Sequence, residues 1–456
     1  MDESNYNLAS EVPTDARDLW ENKPDLRAKY PNRLDATSYD GRSGDLGERI
    51  REASGQDTIV ELGSGTYEIS SEVTAQGNVV GIVGDNARIH YVGTGLENLF
   101  NITNVSELAM EGVTFDITED PASGSTDVCI LVSSGISNAA WIEDVRLEGQ
   151  RHRWQNLGSG YETVGNRYTF LVQVDEGATA FMHRCEFPDG GTDMSAELGT
   201  TDDHAIGPNC DWASHGLHVW KECTAEGFFD NGFYVHSSDA DGEVILWDCH
   251  AKNNARGGMR VSENHTIIGG TTEVIDPIPG DHVGTPLVVN EGANIDVIGL
   301  TIRAAGNDWG GNAIQLRTNV EEVTFDKCVL DIQSGNSLPV RMNQSGSATT
   351  PTPQITFSDV YFHDDSANTP EMVGVSPPGN TDNGATLTLP DASTARILSV
   401  NNDEFLIGTN GTLNVEGTTY TDPTVTASTL GLGDPLDSGG YLPEFYFEYE
   451  NPPGES

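Results

Sequence analysis

Between His218 and Ser262 the sequence repeats itself at an offset of 26 residues. Cys223 falls on Cys249, Ala225 on Ala251, Gly232 on Gly258 and Val235 on Val261, and Glu222 meets another acid in Asp248. Self-similarity at a period of about 20–50 residues marks a stacked architecture, because one such unit cannot bury its apolar face alone. Around Cys223 the pattern is a quartet, with inward-type residues five and three positions before it and two after: His218, Trp220, Cys223 and Ala225. The quartet recurs as Leu108/Met110/Val113/Phe115, Ala140/Ile142/Val145/Leu147, Ala180/Met182/Cys185/Phe187 and Val244/Leu246/Cys249/Ala251. It continues as Ile295/Val297/Leu300/Ile302, Val323/Phe325/Cys328/Leu330 and Ile355/Phe357/Val360/Phe362, with a weaker member at Ile267/Gly270/Thr272.

The residues between these positions are largely polar, among them Glu111, Glu143, Asp144, His183, Arg184, Lys221, Asp326 and Lys327. Alternation with period two predicts a strand with one buried face. The three-residue step before each reference residue breaks that period, so the chain bends there and stays facing inward. One bent strand per coil of roughly 30 residues predicts a parallel β-helix. The apolar-x-apolar-x-x-Cys/Val-x-apolar signature resembles the right-handed pectin-lyase-like superfamily over about 55–365. The resemblance implies an all-β, right-handed parallel β-helix solenoid and says little of activity.

Three regions are expected. Residues 1–45 are polar and rich in Pro, Asp and Asn, with scattered aromatics (Tyr6, Trp20, Tyr30), and predict an extended N-terminal arm that needs something to lie on. Residues 46–365 are the solenoid, opened by a helix over Asp45–Ala53 that caps an otherwise exposed core. Residues 366–456 begin with a linker rich in Pro, Gly, Asn and Thr and predict a small β-rich cap or oligomerisation region. Its end, Pro443–Tyr449, is too aromatic for a solvated tail.

Charge narrows the setting. The 71 Asp and Glu outweigh 23 Lys and Arg, for a formal net charge of −48. Such a chain repels itself in dilute buffer, whereas in molar salt the Debye length falls to ~3 Å and the penalty is screened, as in halophiles. The same charge argues against nucleic acid or an anionic membrane as partner. No apolar run approaches the ~18 residues of a membrane span. The Met-Asp-Glu-Ser-Asn-Tyr start lacks a signal peptide's basic and apolar regions, so synthesis in the cytoplasm is expected. Four of the six cysteines (Cys185, Cys223, Cys249, Cys328) share one inward site in different coils, which suits free buried thiols better than a disulfide framework. No metal-type cysteine spacing exists, and neither a metal nor a cofactor is expected.

Spacing between reference residues locates candidate chemistry. The steps from Val145 to Cys185 and from Cys185 to Cys223 are 40 and 38 residues, against 26 from Cys223 to Cys249. Two adjacent coils therefore carry insertions, near 150–168 and 188–216, of the kind that form a binding face. The first offers Arg151, Arg153, Trp154 and Tyr161; the second offers Asp202, Asp203, His204, Trp212 and His215. Aromatic faces cover sugar rings, and arginine forks hold carboxylates or sulfates. The same arginines could instead neutralise Asp144, Glu148 and Glu162. Asp202-Asp203-His204 with His215-Gly216 resembles polygalacturonase-type glycosidases, in which carboxylates supply acid and base. The preceding Asn-Thr-Asp and the following Arg-x-Lys are absent, so no catalytic residue is assigned. His204, His215 and His218 lie close in sequence, but His218 holds an inward position and reads as a core histidine rather than a ligand.

Three functions fit these observations. The first is a virion surface spike or turret, because the chain resembles tailspike- and turret-type surface proteins of haloarchaeal tailed viruses. That resemblance implies a homotrimer that binds a host surface glycan and joins other virion proteins through its N-terminal arm. The second is a polysaccharide-degrading hydrolase or lyase of the same fold. The third is a cell-surface or adhesin-like β-helix. The incomplete acid–base pattern favours binding over cleavage.

Overall fold

The computed structural model describes residues 8–39, 46–92, 98–118, 129–150, 155–156, 161–162, 168–191, 205–210, 214–235, 242–276, 284–305, 312–333, 340–343, 354–358, 360–364 and short strands from 371 to 426. Each 26-residue unit seen in the sequence is one turn of a solenoid with three strands. In one turn these are Leu217–Lys221, Thr224–Glu226 and Asn231–Val235; in the next they are Glu243–Trp247, His250–Lys252 and Gly257–Val261. The turns stack in parallel and in register, with His218 opposite Val244, Ala225 opposite Ala251 and Val235 opposite Val261. Three parallel sheets run along the axis, here called first, second and third in the order the chain visits them.

The quartet maps onto the corner between the first and second sheets. Its first two members point inward from the first sheet, the reference residue fills the bend, and the fourth points inward from the second. The residue just before the reference has φ of 53° at Asp144, 49° at Arg184, 55° at Glu222, 50° at Asp248 and 55° at Lys327. Glycines take that place at Gly112 and Gly299. One left-handed residue per turn breaks the strand's period, and for a residue other than glycine it is tolerated only where the surroundings impose it. The three-residue step in the sequence is this bend.

The core is one continuous apolar column in which Trp220, Phe100, Phe115, Phe170, Phe233 and Phe325 are fully buried. Cys185, Cys210, Cys223, Cys249 and Cys328 are buried free thiols. Burial pushes the Cys223 and Cys249 thiols up, which leaves them protonated and inert. On the outside of the second sheet, charges of opposite sign alternate along one register: Glu226, Lys252, Glu273, Arg303 and Asp331. Lys252 lies 3.2 Å from Glu226, and Arg303 lies 3.4 Å from Asp331. Each exposed pair contributes little, but the alternation avoids stacking like charges turn upon turn.

Residues 8–39 are not extended. They carry short helices at Thr14–Glu21 and Leu26–Lys29 and a strand, Arg33–Asp35, that pairs in parallel with Ile59–Leu62. This segment lies as a strap along the outer face of the first sheet, antiparallel to the course of the solenoid. Arg33 bonds Glu61, Tyr30 and Lys29 reach Glu107, Arg27 reaches Glu111, and Lys23 reaches Glu143. Further along, Trp20 packs on Phe181 and Trp247, Val12 and Ala16 join Val219, Ile245 and Ile268, and Glu11 pairs with Lys327 at 2.9 Å. The outward register of the first sheet explains the path. Ala109, Trp141, Phe181, Val219 and Ile245 are apolar where the strap lies; Thr266, Asp296, Thr324 and Thr356 follow where it has left this register for the corner near Ile268, Gly299 and Lys327.

A helix at Leu46–Ser54 buries Leu46, Ile50 and Ala53 against the first turn. At the other end, the sequence period fades after Phe362, yet the parallel ladder goes on. Thr386–Leu389 stacks on Gln354–Ser358 and Thr412–Val415 stacks on Thr386–Leu389 before the chain turns back in antiparallel pairs.

Candidate functional site

Both insertions leave the solenoid at the same corner, between the second and third sheets. The first separates Ala139–Glu148 from the third-sheet strand Tyr168–Val174 and contains an antiparallel pair, Gln155–Asn156 with Tyr161–Glu162. The second separates Glu186–Phe187 from Ile206–Asn209. It is shorter than its spacing suggested, because Ile206–Asn209 is a strand of the third sheet that pairs with Tyr168–Val174. Arg151, Arg153, Trp154, Asp202, Asp203, His204 and Trp212 lie outside the described residues, and of Tyr161 only the backbone is described.

His215 is described and exposed, at the opposite end of that strand from the 188–204 loop. Its backbone N–H donates to the Val174 carbonyl at 2.9 Å, and a side chain at Gly216 would strike the Ala178 carbonyl at 2.2 Å. The His-Gly pair is thus explained by a tight turn into the first sheet. His218 points into the core beside the Ser214 hydroxyl, and burial takes its pKa down to about 3. Because that value lies below the unfolded 6.5, the folded state refuses a proton that the unfolded state accepts between the two. Stability from this residue is complete above pH 6.5 and falls as pH drops, by up to about 1.4 kcal/mol per unit. His218→Leu should flatten the acid limb of stability between about pH 6 and 4 in denaturant titrations; an unchanged slope would contradict a neutral buried imidazole.

The outer face of the third sheet differs from the other two. Phe233 and Val235, Met259 and Val261, and Leu287 and Val289 face the core. The residues between them, Tyr234, Arg260 and Val288, are register partners and form an outward column that continues to Gln315 and Arg341. Arg260 lies over the Tyr234 ring, 4.7 Å from its centroid. Its Nε and Nη2 donate to the Asn290 side-chain oxygen at 3.2 and 2.6 Å, and Arg317 Nη1 donates to the same oxygen at 3.0 Å. Arg256 stands 3.6 Å from the buried Asp230. Tyr168, Leu171, Ile206 and Tyr234 form an apolar cluster of their own, separate from the core. Two of these four, Tyr168 and Ile206, open the strands that follow the two insertions.

Electrostatically this face stands apart. On the first and second sheets Arg88, Arg146, Arg184, Lys252, Arg303 and Lys327 each meet a carboxylate. Arg260, Arg317 and Arg341 meet none among the described residues. Burial, and then the nearby Arg317 and Arg256 charges, lower the Arg260 pKa against the help of Tyr234 and Asp230. An arginine starts so high that it stays charged. The arrangement supplies fixed cationic donors for an anion and no described acid–base pair. These residues escaped the sequence reading, which looked for insertions. The available signal was a basic residue with no acid one turn away along the chain.

The sequence matches no protein-family model, and no curated protein matches it. Solved structures do. The A-module of mannuronan C-5 epimerase AlgE4 from Azotobacter vinelandii is similar with a TM-score of 0.51 at 14% identity, over 81% of this chain and 95% of that one. The catalytic domain of Agl-KA is similar with a TM-score of 0.52 at 12% identity, over 84% and 68% of the two chains. The chain has a parallel β-helix fold. Tailspike protein 3 of bacteriophage CBA120 aligns over 86% of this β-helix protein and 62% of its own chain, with a TM-score of 0.49 at 13% identity. Among the described residues, no helix is long and apolar enough to cross a membrane and no cluster of three metal-type ligands occurs.

Proposed function

We propose that this β-helix protein binds a glycan on the outer face of its third sheet and does not cleave it. One observation carries the reading: Arg260 and Arg317 are held by a neutral amide and a tyrosine ring instead of carboxylates, on the sheet into which both long insertions lead. Arg151, Arg153, Trp154 and Tyr161 on one insertion and Asp202, Asp203, His204, Trp212 on the other extend the binding face, with His215 at its far edge. The net charge of −48 suits a molecule that works in concentrated salt. The setting we favour is a homotrimeric spike or turret on the virion of a halophilic archaeal virus, attached to host surface glycan.

Aromatic anchors at the centre of such sites contribute ~2 kcal/mol or more on truncation. Trp154→Ala should therefore weaken glycan or host-cell attachment roughly thirtyfold while the β-helix stays folded, and Asp202→Asn should change little. One fold neighbour is named for an epimerase of mannuronan, which keeps a catalytic reading in view. Release or epimerisation of sugar by the wild type, abolished in Asp202→Asn, would establish that reading and end the present one.

A further inference from the structure

We propose that Arg260 and Arg317 form a subsite for an acidic group of the glycan, a carboxylate or a sulfate ester, and that Asn290 holds the pair ready for it. The inference rests on the glycan-binding reading above and narrows it to an anionic ligand. Three N–H donors from two guanidinium groups converge on the single Asn290 oxygen. That oxygen is neutral. It orients the two cations without cancelling their charge, and they stand close enough for Arg317 to depress the Arg260 pKa. In a chain with 71 acidic residues, a carboxylate here would have been the easy choice. Holding two like charges together with no carboxylate at ion-pair distance among the described residues is unfavourable, and an anion arriving between them recovers that energy.

The geometry suits an oxyanion. A guanidinium carries five N–H donors in a rigid fork that matches carboxylate or sulfate oxygens two at a time. Arg317 is exposed and, among the described residues, bonds only through Nη1, which turns its other donors toward a ligand in this proposal. Tyr234 backs Arg260 from below and fixes its plane. Direct, charge-assisted bonds of this kind also act where long-range attraction fails. The overall field of the protein repels anions, and in molar salt anything beyond ~3 Å is screened. A contact pair is then what remains to recognise charge.

The test measures binding of three probes to the full-length protein in about 1 M KCl, near the ~3 Å screening limit: alginate oligosaccharides, dextran sulfate and neutral dextran. Wild type should bind an acidic probe at least about tenfold more tightly than neutral dextran, and the better of the two acidic probes distinguishes carboxylate from sulfate. Arg317→Gln, at an exposed position, should cost about tenfold in that affinity with no loss of melting temperature. Asn290→Asp is the sharper variant. Its new carboxylate takes the ligand's place, so acidic probes should no longer bind while the melting temperature rises. Acidic-probe affinity unchanged in both variants would overturn the subsite, as would equal wild-type affinity for neutral dextran, which leaves glycan binding standing. A wild type that binds no probe at all would remove the glycan reading together with the subsite.

Discussion

Trp20→Ala should release the strap from the first sheet while leaving the coils folded. Trp20 is the junction of the two halves of the strap. Its ring lies 4.6 Å from the buried His183 ring, edge-on, and near Phe181 and Trp247. Lys221 is wedged between Trp20 and Trp247, with Nζ 4.8 and 4.7 Å from the two rings. Burial lowers the Lys221 pKa against the pull of Asp248, and the aromatic faces and the Glu222 carboxylate add to what holds its charge there. A fully buried tryptophan costs about 3–5 kcal/mol on truncation; for a half-buried one about 2–3 kcal/mol is expected. That is small against the whole β-helix and large against a strap that opens locally. Limited proteolysis and hydrogen exchange should show cleavage and fast exchange across residues 8–30, with the coils still protected. Retained protection of the strap in Trp20→Ala would contradict this account.

The strap also shows where sequence reading succeeds and where it stops. The core quartets gave the fold because inward positions repeat the same chemistry in every turn, and Cys223 over Cys249 or Val244 over His218 is a local fact of spacing. The first-sheet outer face was readable in principle as well. Trp141, Phe181, Val219 and Ile245 sit between inward residues and are apolar on both sides, which signals a covered face. Glu143, His183 and Lys221 mask it, since these polar neighbours look solvated until Lys23 and Trp20 of the strap are laid against them. The third-sheet site was harder. Arg260, Asn290 and Arg317 lie 30 and 27 positions apart along the chain. Only the register that makes these positions neighbours, including the irregularity after Val289, brings them to one oxygen. Spacing in one sequence does not fix a bulge.

Salt should act on the two layers of this molecule in opposite directions. The coils carry most of the net charge of −48, and their self-repulsion is strongest in dilute buffer. Raising KCl from about 0.1 to 2 M shortens the Debye length from ~10 Å to below ~3 Å. Unfolding a chain this long carries about 1 kcal/mol/K of entropy, so relief of about 10 kcal/mol corresponds to a melting temperature higher by about 10 °C. The ionic half of the strap is the exception. Lys23, Arg27, Lys29 and Arg33 meet Glu143, Glu111, Glu107 and Glu61 at 2.6–3.0 Å across a partly exposed interface. Burial works against the Glu143 charge, yet the bonds from His183 and Lys23 outweigh it and pull its pKa down to about 2, so this pairing persists far into acid. Salt weakens such attractions as surely as it weakens repulsion. The other half of the strap is anchored by Val12, Ala16 and Trp20 on apolar residues and carries a single ion pair among the described residues, Glu11 with Lys327, so it loses little by screening. Hydrogen exchange across the salt series should therefore slow in the coils and in residues 8–20 and quicken in residues 23–33. Uniform slowing along the whole strap would mean that its ion pairs contribute no net attraction, and a melting temperature flat from 0.1 to 2 M, across which the Debye length falls more than threefold, would remove charge repulsion as the force that salt relieves.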